Sequence, residues 1–159
     1  MALHGIGRAG RVLVVRITPG QDVLPTLKHY LGEHDLRSGA IVSMIGSLRK
    51  CSILNIGPRA FQGEVYRPPI VLEEPLEFLS GSGTVSLFDD SAVPVHLHVL
   101  LSRADDRIVS GHMMDEGNIV AFTLEVTVLE VGGLQIRRRH DPVSGYQQLV
   151  VESDGGVAM

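Results

Sequence analysis

Apolar and β-branched residues fall in short runs broken by turn residues through most of the chain, and one stretch instead repeats them at helical spacing. RVLVVRI (11–17) is a β-branched run closed by Thr18-Pro19-Gly20, which predicts a strand and a turn. In the departing stretch, Leu24, Leu27 and Leu31 recur at spacings of three and four, the mark of a helix with one apolar face. Asp22 stands where its carboxylate can accept from free N–H groups of the first turn, and Pro25 lies within that turn. Gly32 and the polar stretch to Gly39 end the helix.

The remaining periodic runs read as strands: 40–48, 50–56, 69–72, 76–88, 95–102, 107–114, 119–131, 134–139 and 146–152. Turn chemistry separates them at Asp89-Asp90, Asp105-Asp106, Gly117-Asn118, Gly132-Gly133 and Ser144-Gly145. One early helix followed by a meander of strands predicts an α+β fold with a mostly antiparallel β-sheet. Residues 1–10 are Gly-rich and aperiodic, so a flexible N-terminal arm is expected there. Residues 11–151 then form a single domain, and 152–159 a disordered tail.

Composition narrows the picture. Aromatic residues are 4% of the 159 and Trp is absent, so aliphatic side chains must build the core. A mean hydropathy of +0.19 leaves apolar surface to be covered, which favours a homo-oligomer. No apolar run approaches the roughly 20 residues a membrane helix needs, and the first residues lack the features of a secretory signal. Cys51 is the single cysteine, which excludes an intrachain disulfide and a cysteine-rich zinc site. These features predict a cytoplasmic protein with no membrane partner. The net charge of −4 opposes binding DNA through phosphate contacts alone, although Arg8, Arg11 and Arg16, and Arg137-Arg138-Arg139, are local basic clusters. Such clusters commonly serve as solvated surface.

Candidate chemistry lies in VHLHVLLS (95–102). Alternation sends His96 and His98 to one face while Leu97 and Val99 take the other. A hairpin turning at Asp105-Asp106 sets position 98 opposite about 112 or 113, so His112 joins the pair. Opposed residues on one face have Cβ atoms about 4.5–5.5 Å apart, and three imidazoles so placed can converge on one divalent ion, zinc before others. Three protein nitrogens leave a coordination position open, as catalytic zinc sites do. The spacing is equally compatible with two histidines on a wet sheet face and a third nearby. Gly111, beside His112, leaves room for a ligand or for backbone.

Other signals carry less. GIGRAG (5–10) spells the dinucleotide fingerprint but precedes the first strand instead of joining a strand to a helix. Cys51 reads as a small core residue. Glu73, Glu74 and Glu77 are strand-edge carboxylates that could include a general base, and Arg49 or Arg137 could supply a cation near the ion.

Taken in order, these segments resemble the plant and prokaryote conserved (PPC) domain family. RITPGQDVLPTL (16–27) looks like its strand, turn and helix, and IVSMIGSL (41–48) like its Ile-rich strand ending in Gly-Ser. LEFLSGSGTVSL (76–87), HLHVLLSRADDRIVSGH (96–112), VAFTLEVTVLE (120–130) and RHDPVSGYQQL (139–149) match later parts, with the histidine hairpin the most specific. Ser110 departs from a glycine found in many members, and Leu76 from the plant hexapeptide. The resemblance implies a homotrimer of stand-alone prokaryotic type, often labelled DNA-binding. That label is tied to plant relatives that carry an AT-hook; here Gly10-Arg11 is followed by Val12, so the hook is absent. A distant similarity in fold to α-acetolactate decarboxylase, a zinc enzyme with His-x-His and a third histidine, adds weight to a metal at His96, His98 and His112.

Three functions follow as expectations. The first is a trimeric, metal-stabilised regulatory or DNA-associated interaction module, with DNA or another protein as partner. The second is a metal-dependent lyase or hydrolase acting on a small carbonyl or carboxylate substrate. The third is a small-ligand sensor whose histidines are incidental.

Overall fold

A computed structural model describes residues 3–57, 67–88 and 94–153. The elements run β1 (Arg8–Ile17), α1 (Val23–Glu33), β2 (Gly39–Leu54), β3 (Ile70–Leu72), β4 (Leu76–Val85), β5 (Val95–Arg103), β6 (Ile108–Met113), β7 (Ile119–Gly132), β8 (Leu134–His140) and β9 (Gln147–Ser153). Seven strands form one sheet in the order β1-β7-β2-β4-β5-β6, with β3 on β2, while β8 and β9 form a separate hairpin. All strand pairs in both sheets are antiparallel, so the α+β, mostly antiparallel architecture holds. No helix among the described residues is long and apolar enough to cross a membrane.

β2 organises the sheet. Its first ten residues pair with β7 on one edge and β4 on the other, and its far end pairs with β6 through Ile53–Met113 and Leu54–His112. The circuit β2-β4-β5-β6 therefore closes on itself, which leaves β5 and β6 no free edge between them. The sequence pattern suggests two strands here, 40–48 and 50–56. Ser47-Leu48-Arg49-Lys50 carries no Gly, Pro, Asn or Asp, however, and the chain continues through register shifts between Gly46 and Lys50. Gly46 (φ 150°) makes that bend possible, since a Cβ on it would lie 2.2 Å from the carbonyl oxygen of Thr123.

One sheet face is the core. Ile17, Ile41, Met44, Leu48, Phe78, Leu97, Leu101, Leu124 and Val126 are buried there with Leu24, Leu27 and Leu31 of α1. Aliphatic residues dominate it, as composition required. Asp22 precedes α1 but accepts no hydrogen bond from the helix through its side chain. Its carboxylate instead accepts from Gly117 N (2.7 Å) and Asn118 N (3.2 Å), tying the helix start to the β6–β7 turn. The long-range partner wins because those two N–H groups have no strand to bond.

Boundaries differ at both ends. β1 begins at Arg8, so Arg8–Gly10 are strand where an arm was expected, and GIGRAG runs into β1 with no helix behind it. Glu152 and Ser153 close β9, so the first two residues of the expected tail are strand. The rest of that tail, the Asp89-Asp90 turn and most of the connection before residue 69 lie outside the described residues.

Arg11 joins β1 to β7. It donates to Glu130 through its backbone N (3.0 Å), Nε (2.8 Å) and Nη2 (2.6 Å), while Nη1 reaches the carbonyl of His34 past α1 (2.9 Å). The Arg11 side chain and backbone hold the Glu130 carboxyl down to about 2. A depressed folded pKa contributes stability that is present above the unfolded value of about 4.3 and lost as pH falls through about 2. Glu130→Gln is therefore expected to lower the thermal midpoint at pH 7, with the gap to wild type narrowing from pH 5 to pH 2. A gap independent of pH in a melting series would contradict the ion-pair assignment.

Candidate metal centre

The three histidines sit on the sheet face opposite the core. Along β5 the odd positions Val95, Leu97, Val99 and Leu101 are buried, and His96 and His98 point the other way. The hairpin turns over Arg103–Arg107, with Asp106 at φ 63° and its N–H donated to the carbonyl of Arg103 (3.0 Å). That turn sets His98 directly opposite His112, as the spacing predicted.

The ligand atoms of His96, His98 and His112 all lie within 4.8 Å of one another. The Nε2 atoms of His96 and His98 are 3.1 Å apart, and the ring centroids are separated by 4.8 to 5.5 Å. Two nitrogens on a tetrahedral zinc at about 2.0–2.1 Å each stand roughly 3.3 Å apart. The His96–His98 pair is already close to that spacing, and the ligand atom of His112 lies within 4.8 Å of both. Burial pushes His96 down to about 4, helped by the charges of Arg138, His112 and His98. Burial lowers His112 as well, with His98 and Arg138 acting in the same sense and Asp115 against them. These two imidazoles are thus neutral at pH 7, the form that binds a metal. The residues present fit a divalent cation.

The frame of the site is tight. Gly111 does leave room, and the end of β2 with the Asn55 side chain takes it: a Cβ there would meet Asn55 Oδ1 at 2.9 Å and the Leu54 carbonyl oxygen at 3.0 Å. Asn55 donates from Nδ2 to the carbonyl of Ser110 (2.9 Å) on the same strand. On the other side Gly83, paired with Leu97, lets β4 approach so closely that a Cβ would lie 2.0 Å from the His96 carbonyl oxygen.

The other candidates are elsewhere. Glu77 pairs with Ser102 at the far end of the β4–β5 ladder, Glu74 is bonded to Arg103, and Glu73 to Lys50. An open concavity of about 650 Å³ at that end, lined by Glu77, Arg103 and Phe122 among others, contains no imidazole. Arg49 is exposed on β2, and Arg137 is bonded to Gln135 and Glu152. Cys51 is fully buried, and burial pushes its thiol up to about 12, which removes it as a nucleophile. Two residues near the histidines escaped sequence reasoning. Asp115 of the β6–β7 turn, paired with Lys28, acts on His112 through its charge, and Arg138 of β8 acts on His96 and His112 while bonded to Thr84. Only the alternation of β8, which turns one arginine of three inward, hinted at the second.

Comparison with known proteins agrees with this fold. The model of the Plants and Prokaryotes Conserved (PCC) domain matches residues 4–132. A bifunctional protein GlmU from a Synechococcus species is 32% identical over 142 residues, 89% of this chain but 21% of that protein. The chain thus spans about a fifth of the length of the curated relatives it matches. The metal-containing protein AF0104 of Archaeoglobus fulgidus superimposes with a TM-score of 0.78 at 29% identity, covering 94% of this chain and 99% of that one. A plant- and prokaryote-conserved protein of Pyrococcus horikoshii gives 0.79 at 26%, covering 93% and 96%. A Bacteroides thetaiotaomicron protein provisionally described as DNA-binding gives 0.75 at 21% over 91% and 97%, a likeness of fold.

Gly83→Ala is expected to destabilise the chain by about 3 kcal/mol, the upper range for overpacking, because a strand backbone must move. A urea midpoint equal to that of wild type would show that β4 and β5 have slack beside His96.

Proposed function

Because the chain belongs to the Plants and Prokaryotes Conserved domain family, we propose that it is a homotrimeric interaction module. In this reading each subunit holds one divalent cation, zinc first, on His96, His98 and His112. The observation that carries the metal is the register of the β5–β6 hairpin, which sets His98 against His112 with His96 two residues along the same face. Three imidazole nitrogens with no carboxylate in the group favour a borderline-soft ion over magnesium or calcium. The metal-containing description of the Archaeoglobus neighbour supports the same reading.

The trimer is supported by apolar surface. Val12, Val14, Val42 and Ile45, each more than half exposed, project from β1 and β2, and Phe122 of β7 is 81% exposed. A partner subunit would cover such a surface. The single buried thiol is consistent with a cytoplasmic setting.

The DNA-associated form of this module gains little from the chain itself. Arg11 is held by Glu130, and Arg137 and Arg139 share Glu152, so much of both basic clusters is neutralised internally. The metal-dependent lyase or hydrolase remains the second reading, favoured by the fourth coordination position that three histidines leave open.

Elemental analysis of tag-free protein is expected to find about one divalent ion per chain, with His98→Ala losing it. No ion in either protein after incubation with zinc would end the metal reading. Sedimentation equilibrium is expected to return three times the 17.2 kDa chain mass, with Phe122→Asp shifting the protein toward monomer. A wild-type mass of one chain would end the trimer.

A further inference from the structure

The arginine run of β8 is divided by strand alternation. Arg137 and Arg139 lie on one face, where Nε of the first (3.2 Å) and Nη2 of the second pair with Glu152, opposite Gln135 in the hairpin. Arg138 points the other way. Backbone bonds seat it there: Leu87 N donates to Ile136 O (2.8 Å), and Arg138 N donates to Leu87 O (2.9 Å). Its Nη2 then donates to Thr84 Oγ1 at 3.0 Å, and Thr84 is the cross-strand partner of His96.

This guanidinium is half-buried, burial lowers its pKa, and it pairs with no carboxylate among the described residues. A guanidinium stays charged, and Thr84 satisfies one of its five donors. A partly desolvated cation is costly where no carboxylate stands beside it, and imidazole rings supply no negative charge to compensate. A divalent ion on those imidazoles adds two more positive charges. Asp115 is the described carboxylate that acts on His112, and it is shared with Lys28.

We infer that Arg138 and the ion on the three histidines form one composite site for a small carboxylate, which bridges the open metal position and the guanidinium. The inference rests on the metal reading above and gives its open position a ligand class. A carboxylate suits the planar guanidinium fork, which binds it through two parallel N–H bonds. A polyanion such as DNA would call for several free cations, whereas Arg137 and Arg139 are occupied by Glu152. Metal and carboxylate bind with reciprocal coupling, since each relieves the charge excess the other faces. Arg138 is thus a specificity-determining residue for an acid bound at the ion.

The test uses the full chain loaded with cobalt(II), whose visible absorption reports coordination, titrated with pyruvate and, separately, with inorganic phosphate. Wild type is expected to show a saturable band shift with pyruvate. Arg138→Gln should still take up one cobalt, at least as tightly as wild type without the acid, but need about tenfold more pyruvate, with Arg138→Lys between them. Cobalt uptake with equal pyruvate titrations in wild type and Arg138→Gln overturns this inference alone, as does no band shift in either. Phosphate shifting the wild-type band at lower concentration than pyruvate overturns the carboxylate assignment. Failure to take up cobalt at all overturns the metal reading and this inference with it.

Discussion

The structure depends on a strand that is hydrogen-bonded along both edges and still has length left over. β2 gives its first residues to β7 and β4, bends where Gly46 packs against Thr123, and spends its last residues on β6. Without that final pairing β6 would be an open edge, held to β5 alone. With it, both strands that carry the clustered histidines have a neighbour on each side. The turn between β5 and β6 then fixes which residues face one another, and the alternation of β5 decides that histidines and core leucines never compete for one face.

Charge is distributed by the same rule of alternation. The chain has fourteen Lys and Arg residues against eighteen Asp and Glu, and several cations that looked available in sequence are used internally. Arg11 gathers Glu130 and the end of α1, and Glu152 gathers two arginines. Among the described residues Arg138 pairs with no carboxylate, and it lies beside the three imidazoles on the outward face. Binding energy concentrates where such imbalance meets partial burial, because water screens it least there.

Much of this was legible from local patterns. A two-residue turn signal at Asp105-Asp106 and alternation on either side bring His98 to within a residue of His112 without tertiary knowledge, and the turn itself settles the register. The helix was legible from Leu24, Leu27 and Leu31 for the same reason. Non-local pairings stayed hidden. Asp22 has the position of a helix cap, but Gly117 and Asn118, far along the chain, offer its carboxylate better donors. The continuity of β2 through Arg49 depends on neighbours on both edges. Arg138 acquires its role through one parallel bridge between Leu87 and Arg137, which no periodicity announces. A run of three arginines looks uniform in sequence and is two kinds of residue once the strand is docked.

Cys51 lies on β2 opposite Leu72, has no exposed surface, and is the single cysteine of the chain. A thiol reagent in solution reaches it only when the middle of β2 opens. The rate of labelling in native buffer is therefore a built-in clock for that opening, free of background from any other sulfhydryl. Since β2 is the strand on which sheet closure rests, the clock reads the stability of the frame itself and stays silent to fraying of the β8–β9 hairpin.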